Sequence, residues 1–166
     1  MKHTLFLVGI VMAFGCGDKQ IDTPKPPPTT PVAEPSRTTP LSAYGRAQIS
    51  VKGKLIDVFV ADENSERAEG LMFVKEGELG PDEGMIFVFA EAESRSFWME
   101  NTLLPLDIAY LDAAGKILNI RQMQPLDRSP QPSAGPAKYA VEMHQNWFKG
   151  KSIKQGDRFD LAGLSK

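Results

Sequence analysis

The sequence predicts a mainly β protein whose folded part is a single β-sandwich or barrel with one short helix. Three observations support this fold class. Apolar stretches rich in Val, Ile, Phe and Tyr are short and recur along the chain. Clusters of Gly, Pro, Asn and Asp separate them, as turns separate strands. Only one segment favours a helix, and the sequence shows no alternation of strands with long helices, which a parallel α/β fold would require.

The predicted strands are short and follow one another closely along the chain. Each is an apolar run bounded by turn-forming residues, and aromatic or β-branched side chains dominate most of them. The runs are residues 49–51, 55–60, 85–89, 97–99, 108–111, 117–120, 138–143 and 158–161.

The segments between these strands carry recognisable turn chemistry. Lys-Gly at 52–53 and Asp-Ala-Ala-Gly at 112–115 are typical of hairpin turns. A short helix is predicted at 62–69, because polar capping side chains begin it and Gly70 can end it. Residues 125–136 contain four prolines, so we expect a long loop there rather than a central strand.

The N-terminal segment is typical of an export signal. Residues 4–14 form an apolar run that is too short to cross a bilayer, which takes about 20 residues. The Gly15-Cys16 pair at its end resembles the lipobox of bacterial lipoproteins, in which the cysteine carries a diacylglycerol. Ala13 and Phe14 depart from the usual pattern, so an ordinary secretory signal beside an unrelated cysteine stays open. The favoured interpretation is a lipid anchor at Cys16 that binds the protein to a membrane.

A proline-rich segment separates this signal from the folded part. Residues 17–45 contain seven of the thirteen prolines and few large apolar side chains, so we expect a disordered tether. The predicted organisation is a signal peptide at 1–16, this tether, and one β domain at 46–166. Gly17, rather than Asp, follows the cysteine. Under the enterobacterial sorting rule this favours the outer membrane, facing the periplasm.

Composition and motifs exclude several classes of function. A formal net charge of −2 provides no basic field for a polyanion, so nucleic acid is not an expected partner. Cys16 is the only cysteine, which excludes thiol chemistry in the domain. The sequence shows no Ser-His-Asp frame, no Gly-rich phosphate loop and no His pair at metal-ligand spacing. No cofactor and no catalytic residue is predicted.

Several sequence blocks, in order, resemble the DUF192 family. They are Ala61-Asp62, Glu66-Arg67-Ala68, Gly70-Leu71-Met72-Phe73, residues 82–89, 97–102, 105–107 and 123–125, Tyr139, Val141-Glu142, Trp147 and residues 156–158. The resemblance covers about residues 48–161. It implies a β-rich, jelly-roll-like domain that is often exported, in a family whose biochemical role is not established. Many relatives carry a cysteine pair after the Met-Gln-Pro element, where this chain has Leu126 and Gln131.

The candidate ligand-binding residues are Trp98, Asn101, Thr102, Asp107 and Glu142. If the neighbours of Trp98 face the core, the period of two turns its ring outward. An exposed ring beside an amide, a hydroxyl and a carboxylate is the kind of surface on which sandwich domains bind a sugar or peptide. The alternative is architectural, since a Trp in a strand commonly belongs to the core and acids at strand ends commonly hold loop amides.

We therefore expect a non-enzymatic ligand-binding or accessory module of the bacterial envelope that binds a small molecule, glycan or peptide. Two alternatives stay open. A hydrolase would need Asp107 and Glu142 to face one cleft. Thioether ligands together with His144 would suit Cu(I), although methionines more commonly fill cores. The methionines concerned are Met72, Met85, Met99, Met123 and Met143.

Overall fold

The computed structural model describes residues 35–164, so the predicted signal peptide, Cys16 and residues 17–34 of the tether lie outside the described residues. Strands dominate the described part. They are β1 (Gly45–Val51), β2 (Lys54–Ala61), β3 (Glu83–Phe97), β4 (Leu106–Leu111), β5 (Ile117–Met123), β6 (Gln131–His144) and β7 (Phe159–Asp160). The helical elements are α1 (Asn64–Glu69), α2 (Trp147–Gly150) and 3-10 turns at Leu41–Ala43 and Ala162–Leu164. Within this part of the chain, no helix has the length and apolar character needed to span a bilayer.

The strands form one sheet in the order β5-β4-β6-β3-β2-β1-β7. β2 and β3 are parallel, whereas the other neighbouring strands are antiparallel. The two ends of the sheet meet: Phe159 N–H donates to the Gly115 carbonyl at 2.9 Å, and Ile117 N–H to the Asp157 carbonyl at 2.8 Å. The sheet is therefore curled into a half-barrel. The predicted mainly β fold class is confirmed, and α2 is a second short helix.

Alternate residues of the strands build two apolar clusters, one on each face of the sheet. The α1 face, named after the helix beside it, includes Met85 of β3 and Ala140 of β6. The α2 face includes their sequence neighbours Ile86 and Val141. Large buried members of the α1 face are Phe59, Leu71, Met85, Phe87, Met99, Ile108 and Tyr110, and those of the α2 face are Ile49, Ile56, Ile86, Leu111, Met143, Trp147 and Phe148.

Helix α1 is fixed at both ends, which sets the position of its side chains against the sheet. The Glu66 carboxylate accepts the backbone N–H groups of Asp62 and Glu63, each at 3.1 Å, and so satisfies donors at the helix start. Gly70 ends the helix with a φ of 50°. A Cβ at Gly70 would lie 3.2 Å from Cζ of Phe87, so the turn after α1 packs closely on β3.

Gly84 allows β3 and β6 to approach each other closely. A Cβ at this position would lie 2.3 Å from the Glu142 carbonyl oxygen and 2.4 Å from Sδ of Met143. Both distances are shorter than van der Waals contact, so any side chain here would push the strands apart. The next residue, Met85, pairs with Glu142 in the ladder. The position of Glu142 on the α1 face therefore depends on this glycine.

The folded part begins earlier than the predicted start at residue 46. Arg37 donates from Nη1 to the carbonyl oxygens of Gly70 at 2.9 Å and Met72 at 2.7 Å. Tyr44 is 4% exposed and belongs to the apolar cluster of the α1 face. Composition could not reveal this attachment, because a few specific contacts make it within a proline-rich segment.

Strand β6 begins inside the segment that its four prolines predicted to be a loop. Pro132 lies opposite Ser96 of β3, and Pro136 lies opposite Ser94. This half of β6 pairs with β3 only, because β4 pairs with residues 139–144. A proline here has no second neighbouring strand to which it would have to donate a hydrogen bond. The prediction of a loop through residue 136 was therefore wrong.

Candidate functional site

A cavity of about 350 Å³ lies on the α1 face, between α1 and β3. Its volume is at the lower end of the range for small-molecule sites. Its walls come from α1 and the turn after it, from β3, from the loop that follows β3, and from β6. The side chains around it include Arg67, Glu69, Leu71, Met72, Phe87, Phe89, Arg95, Phe97, Trp98, Thr102 and Glu142.

Glu142 brings a carboxyl group to the inner wall of this cavity. The residue is 4% exposed, and its carboxyl group makes no hydrogen bond within residues 35–164. Burial raises the pKa of Glu142 to about 8. At neutral pH the group therefore holds its proton most of the time. A neutral carboxyl can donate one hydrogen bond and accept another.

Aromatic rings form the apolar part of the wall. Phe97 lies at their centre, with its ring centroid 4.8 Å from that of Phe87 and 6.4 Å from that of Phe89. Its centroid is also 5.8 Å from that of Tyr110, in the core beneath the cavity. All three pairs meet edge to face, the arrangement that aromatic quadrupoles favour. The rings are thus held by one another as well as by the sheet.

Two arginines stand at the cavity, and both lie against the ring of Phe89. Cζ of Arg95 is 4.1 Å from the ring centroid, and Cζ of Arg67 is 5.6 Å from it. Arg67 also donates to the Val88 carbonyl oxygen at 2.8 Å and to Asn64 Oδ1 at 2.6 Å. Its guanidinium group therefore connects α1 to β3.

The Arg95 guanidinium makes its hydrogen bond and its ion pair with residues of its own strand, β3. It donates to the Glu91 carbonyl oxygen at 2.8 Å and lies 3.2 Å from the Glu93 carboxylate. Its Nε is buried and finds no acceptor within the described part of the chain. The positive charge at this side of the cavity is therefore balanced by Glu93.

Trp98 and Thr102 reach the same cavity from the loop after β3. Trp98 is 52% exposed whereas Met99 is 1% exposed, so the ring points outward as the alternation predicted. Thr102 is 6% exposed, and its hydroxyl donates to the Glu100 carbonyl oxygen at 3.3 Å. The structure thus brings three of the predicted residues, Trp98, Thr102 and Glu142, to one cavity.

Asn101 lies elsewhere, in a neighbouring groove lined by Leu103 and Leu126. Its backbone has a φ of 54°, and its carbonyl oxygen accepts the N–H of Phe73 at 2.8 Å. Its side-chain nitrogen lies 4.0 Å from Sδ of Met72, a weak contact. Asn101 is therefore a turn residue, and its amide does not take part in the cavity at Glu142.

Asp107 lies on the opposite face of the sheet from Glu142. It pairs with Met143 in the ladder, whereas Glu142 pairs with Ile108, and directly opposed residues share a face. Burial raises the pKa of Asp107 to about 6, although the nearby backbone of Asn146, the Gln122 side chain and the backbone of Phe148 partly oppose this rise. Asp107 Oδ1 is buried and has no hydrogen-bond partner in the described residues. The hydrolase alternative, which required Asp107 and Glu142 in one cleft, was therefore wrong.

The five predicted methionine ligands do not all lie on one face of the sheet. Met85 belongs to the α1 face and Met143 to the α2 face. Nε2 of His144 lies 3.2 Å from the Leu79 carbonyl oxygen. Residues 35–164 contain no group of three or more His, Cys, Asp or Glu side chains that could hold a metal ion. The five methionines therefore do not form one copper site.

The sequence interpretation missed part of the wall, because it placed Phe87 and Phe89 in a predicted strand but not among the candidate binding residues. Phe87 is indeed 1% exposed, but its ring also borders the cavity. Phe87, Phe89, Arg95 and Phe97 occupy odd positions of β3. This shared parity is the signal that could have identified them as one surface.

Comparisons with known proteins agree with this architecture. The DUF192 family model, described as "Uncharacterized ACR", matches residues 47–161. The crystal structure of a "putative transcription regulator" from Sinorhizobium meliloti 1021 is similar, with a TM-score of 0.68 and 31% identity over 73% of this chain and 97% of that one. A protein of unknown function from Novosphingobium aromaticivorans DSM 12444 has a TM-score of 0.68 and 32% identity, over 77% of this chain and 94% of its own. No curated protein matches the chain. The chain belongs to the DUF192 family.

Proposed function

We propose that this protein is a non-enzymatic binding module whose cavity at Glu142 takes a small organic ligand. The observation that carries the proposal is the buried carboxyl group of Glu142, which has no hydrogen-bond partner in residues 35–164 and faces a cavity with aromatic walls. A buried polar group without a partner costs about 1–3 kcal/mol. A ligand that hydrogen-bonds to it removes this cost and buries its own apolar surface between the rings.

Binding fits the site better than hydrolysis, because the other acids nearby are engaged. Glu69 also lines the cavity, but its carboxylate accepts the backbone N–H groups of Thr38 and Thr39. Although partial burial acts in the other direction, these hydrogen bonds and Arg37 lower its pKa. A pair of catalytic carboxyl groups needs a second, free acid on the other side of the substrate. Within the described residues, Glu142 has no such counterpart.

Fluorescence can test the binding proposal, because the two tryptophans of the chain lie in different surroundings. Trp98 stands exposed at the cavity, whereas Trp147 is buried and donates to Asp82 Oδ1 at 2.8 Å. We suggest three probes that share a phenyl ring: benzyl alcohol, benzylamine and phenylacetate. At least one should change the emission in a saturable way, and Trp98→Phe should remove the signal.

Variants at the two buried acids provide the matched comparison. Glu142→Gln should weaken binding of the probe, whereas Asp107→Asn, a similar change on the opposite face, should leave it unchanged. If no probe gives a saturable response and none raises the melting temperature of the wild-type protein, the binding proposal is wrong.

We further propose that the domain works at the bacterial cell envelope, anchored through lipid on Cys16 and facing the periplasm from the outer membrane. The apolar run at 4–14, the Gly-Cys pair that ends the signal, and Gly17 support this location. The full chain should incorporate labelled palmitate and enter the detergent phase, and Cys16→Ser should do neither. Recovery of the unaltered, processed protein in the aqueous phase would contradict the anchor.

A further inference from the structure

We propose that the cavity selects organic cations, namely a primary ammonium group on a small apolar or aromatic body. This inference rests on the binding function proposed above and names its ligand class. The carboxyl group of Glu142 would pair with the ammonium group, and the rings of Phe87, Phe97 and Trp98 would enclose the part of the ligand next to it.

The hydrogen-bonding capacity of Glu142 matches an ammonium group, whereas the buried Nε of Arg95 in the same wall would need an acceptor. An ammonium group has three donors and no acceptor, and Glu142 offers carboxylate oxygens that no donor in residues 35–164 reaches. A charge-assisted hydrogen bond between the two is about twice as strong as a neutral one. Aromatic faces within about 6 Å of a cation add attraction through the ring quadrupole. A neutral ligand of the same shape gains neither the charge-assisted hydrogen bond nor the attraction of a cation to the aromatic faces.

Residues 35–164 do not provide the cation that Glu142 would need. Arg67 and Arg95 line the same cavity, yet the pKa of Glu142 is raised by burial, with no opposing effect from either guanidinium. Arg67 instead donates to oxygen atoms of α1 and β3, and Arg95 pairs with Glu93 at 3.2 Å. The arginines therefore hold the wall together, and the negative charge of an ionised Glu142 is left for a ligand.

Other charged or titratable groups surround Glu142 on this face and must be considered in any pH dependence. Arg67 and Glu69 come from α1, Arg95 from β3, Tyr110 from β4, Arg121 from β5 and His144 from β6. Burial, and secondarily the charge of Glu142, raises the pKa of Tyr110, so it stays neutral through the range of interest. Comparison with Glu142→Gln isolates the contribution of Glu142 from all of these groups.

Binding of a cation should be linked to loss of one proton. In the free protein at pH 7 Glu142 is mostly protonated, since burial raises its pKa to about 8. The ligand arrives as R–NH₃⁺, the carboxyl group gives its proton to the buffer, and the complex contains an ammonium–carboxylate pair. The affinity should therefore rise with pH, by up to about tenfold per unit below pH 8. A neutral ligand shows no such linkage.

Isothermal titration calorimetry in buffers of different ionisation enthalpy measures both quantities. For the wild-type protein at pH 7 we expect benzylamine to bind at least about tenfold more tightly than benzyl alcohol, with release of close to one proton. Glu142→Gln should lose the preference and the proton release, and Asp107→Asn should keep both. If Glu142→Gln does not fold, the proton release of the wild type decides alone.

Other outcomes separate this inference from the binding function on which it rests. Tightest binding of phenylacetate would show that the arginines decide the selectivity, which overturns the cation inference and keeps the binding function. Equal affinity for the amine and the alcohol without proton release would also overturn it. Failure of all three probes to bind would remove both proposals together.

Discussion

The two faces of the curled sheet each bury one carboxyl group, but the surroundings of the two groups differ. On the α2 face, burial raises the pKa of Asp107 to about 6, the nearby backbone of Asn146, the Gln122 side chain and the backbone of Phe148 partly oppose the rise, and Asp107 Oδ1 is buried without a hydrogen-bond partner in the described residues. On the α1 face, burial raises the pKa of Glu142 to about 8 with no opposing donor in the described residues. The first acid lies beside the turn before α2, whereas the second faces a cavity.

The segments that lie over the two faces also differ. On the α2 face, Trp147 is 7% exposed and Phe148 is 1% exposed. Their ring centroids lie 5.3 Å apart, and both rings pack against the apolar cluster. On the α1 face the cover consists of α1 and loops, and it leaves Trp98 52% exposed beside the cavity. The sheet presents an apolar cluster on both sides, so the segments that cover each side decide where a cavity forms beside it.

Truncation of a core ring should have the largest effect on stability. Phe87 and Phe148 are each 1% exposed, one on each face. Phe148→Ala should cost about 3–5 kcal/mol, and Phe87→Ala should fall toward the lower end of that range because its ring already borders a cavity. Urea unfolding measures both. A loss below about 1 kcal/mol for Phe87→Ala would place its ring outside the core.

The second prediction uses the proton on Glu142. Its pKa is about 8 in the folded protein against an ordinary value of 4.5, so between these pH values the unfolded chain loses a proton that the folded protein keeps. The free energy of unfolding should therefore fall as the pH rises through this window, by at most about 1.4 kcal/mol per unit. Glu142→Gln should remove this slope. Urea unfolding between pH 6 and about 8 measures it, and a wild-type protein with no steeper slope than the variant would contradict the assignment.

Asp107→Asn is the control on the opposite face. The folded pKa of Asp107 is about 6 against an ordinary 3.8, so its proton affects stability only below about pH 6. The variant should keep the slope that Glu142 produces above that pH. The pKa values of Glu69 and Glu83 are lowered, so these carboxylates make the free energy of unfolding fall as the pH decreases, and they do so only in acid. The slope between pH 6 and about 8 therefore reports on Glu142.

Local signals predicted most elements of the fold, because turns and helix ends depend on neighbouring residues. The hairpin at Lys52 and Gly53, with φ of 50° and 73°, and the helix stop at Gly70 are examples. The sequence did not reveal that the runs at 85–89 and 97–99 belong to one strand. The polar residues between them resemble a loop, and they extend β3 only because the first half of β6 pairs with them. Pairing between distant segments leaves little trace in local composition.

The site was harder to predict, because it depends on the register in which β4 pairs with β6. The sequence grouped Asp107 and Glu142, and each does end in a buried position. A shift of one residue between β4 and β6 would exchange the face on which each side chain lies, and no local pattern fixes this shift in strands that are apolar on both sides. The prediction that Asn101 lies beside Trp98 failed for another reason. The left-handed backbone of Asn101 changes the direction of the chain, so its side chain lies in a neighbouring groove.

The third prediction tests whether Asn101 matters through its backbone. With a φ of 54° and only a weak side-chain contact, Asn101→Ala should cost about 1 kcal/mol, because a Cβ without a local polar group is disfavoured in this conformation. Asn101→Gly should keep stability within about 0.5 kcal/mol of the wild type. Both variants should bind the cavity probes normally. A loss of binding in the glycine variant would mean that the amide contacts the ligand.

Truncation of Trp98 should have the smallest effect on stability. Its comparison with truncation of Trp147 should give the sharpest contrast between the two faces. Trp98→Ala should change the free energy of unfolding by no more than about 0.5 kcal/mol, because half of the side chain is already in water. Trp147→Ala should cost about 3–5 kcal/mol, since it removes a buried ring and the hydrogen bond to Asp82. Trp98→Ala should nevertheless weaken binding of the phenyl probes several-fold, measured by calorimetry because the variant loses the fluorescent reporter. If Trp98→Ala destabilises the protein as much as Trp147→Ala, the ring at the cavity supports the fold and is not a free binding surface.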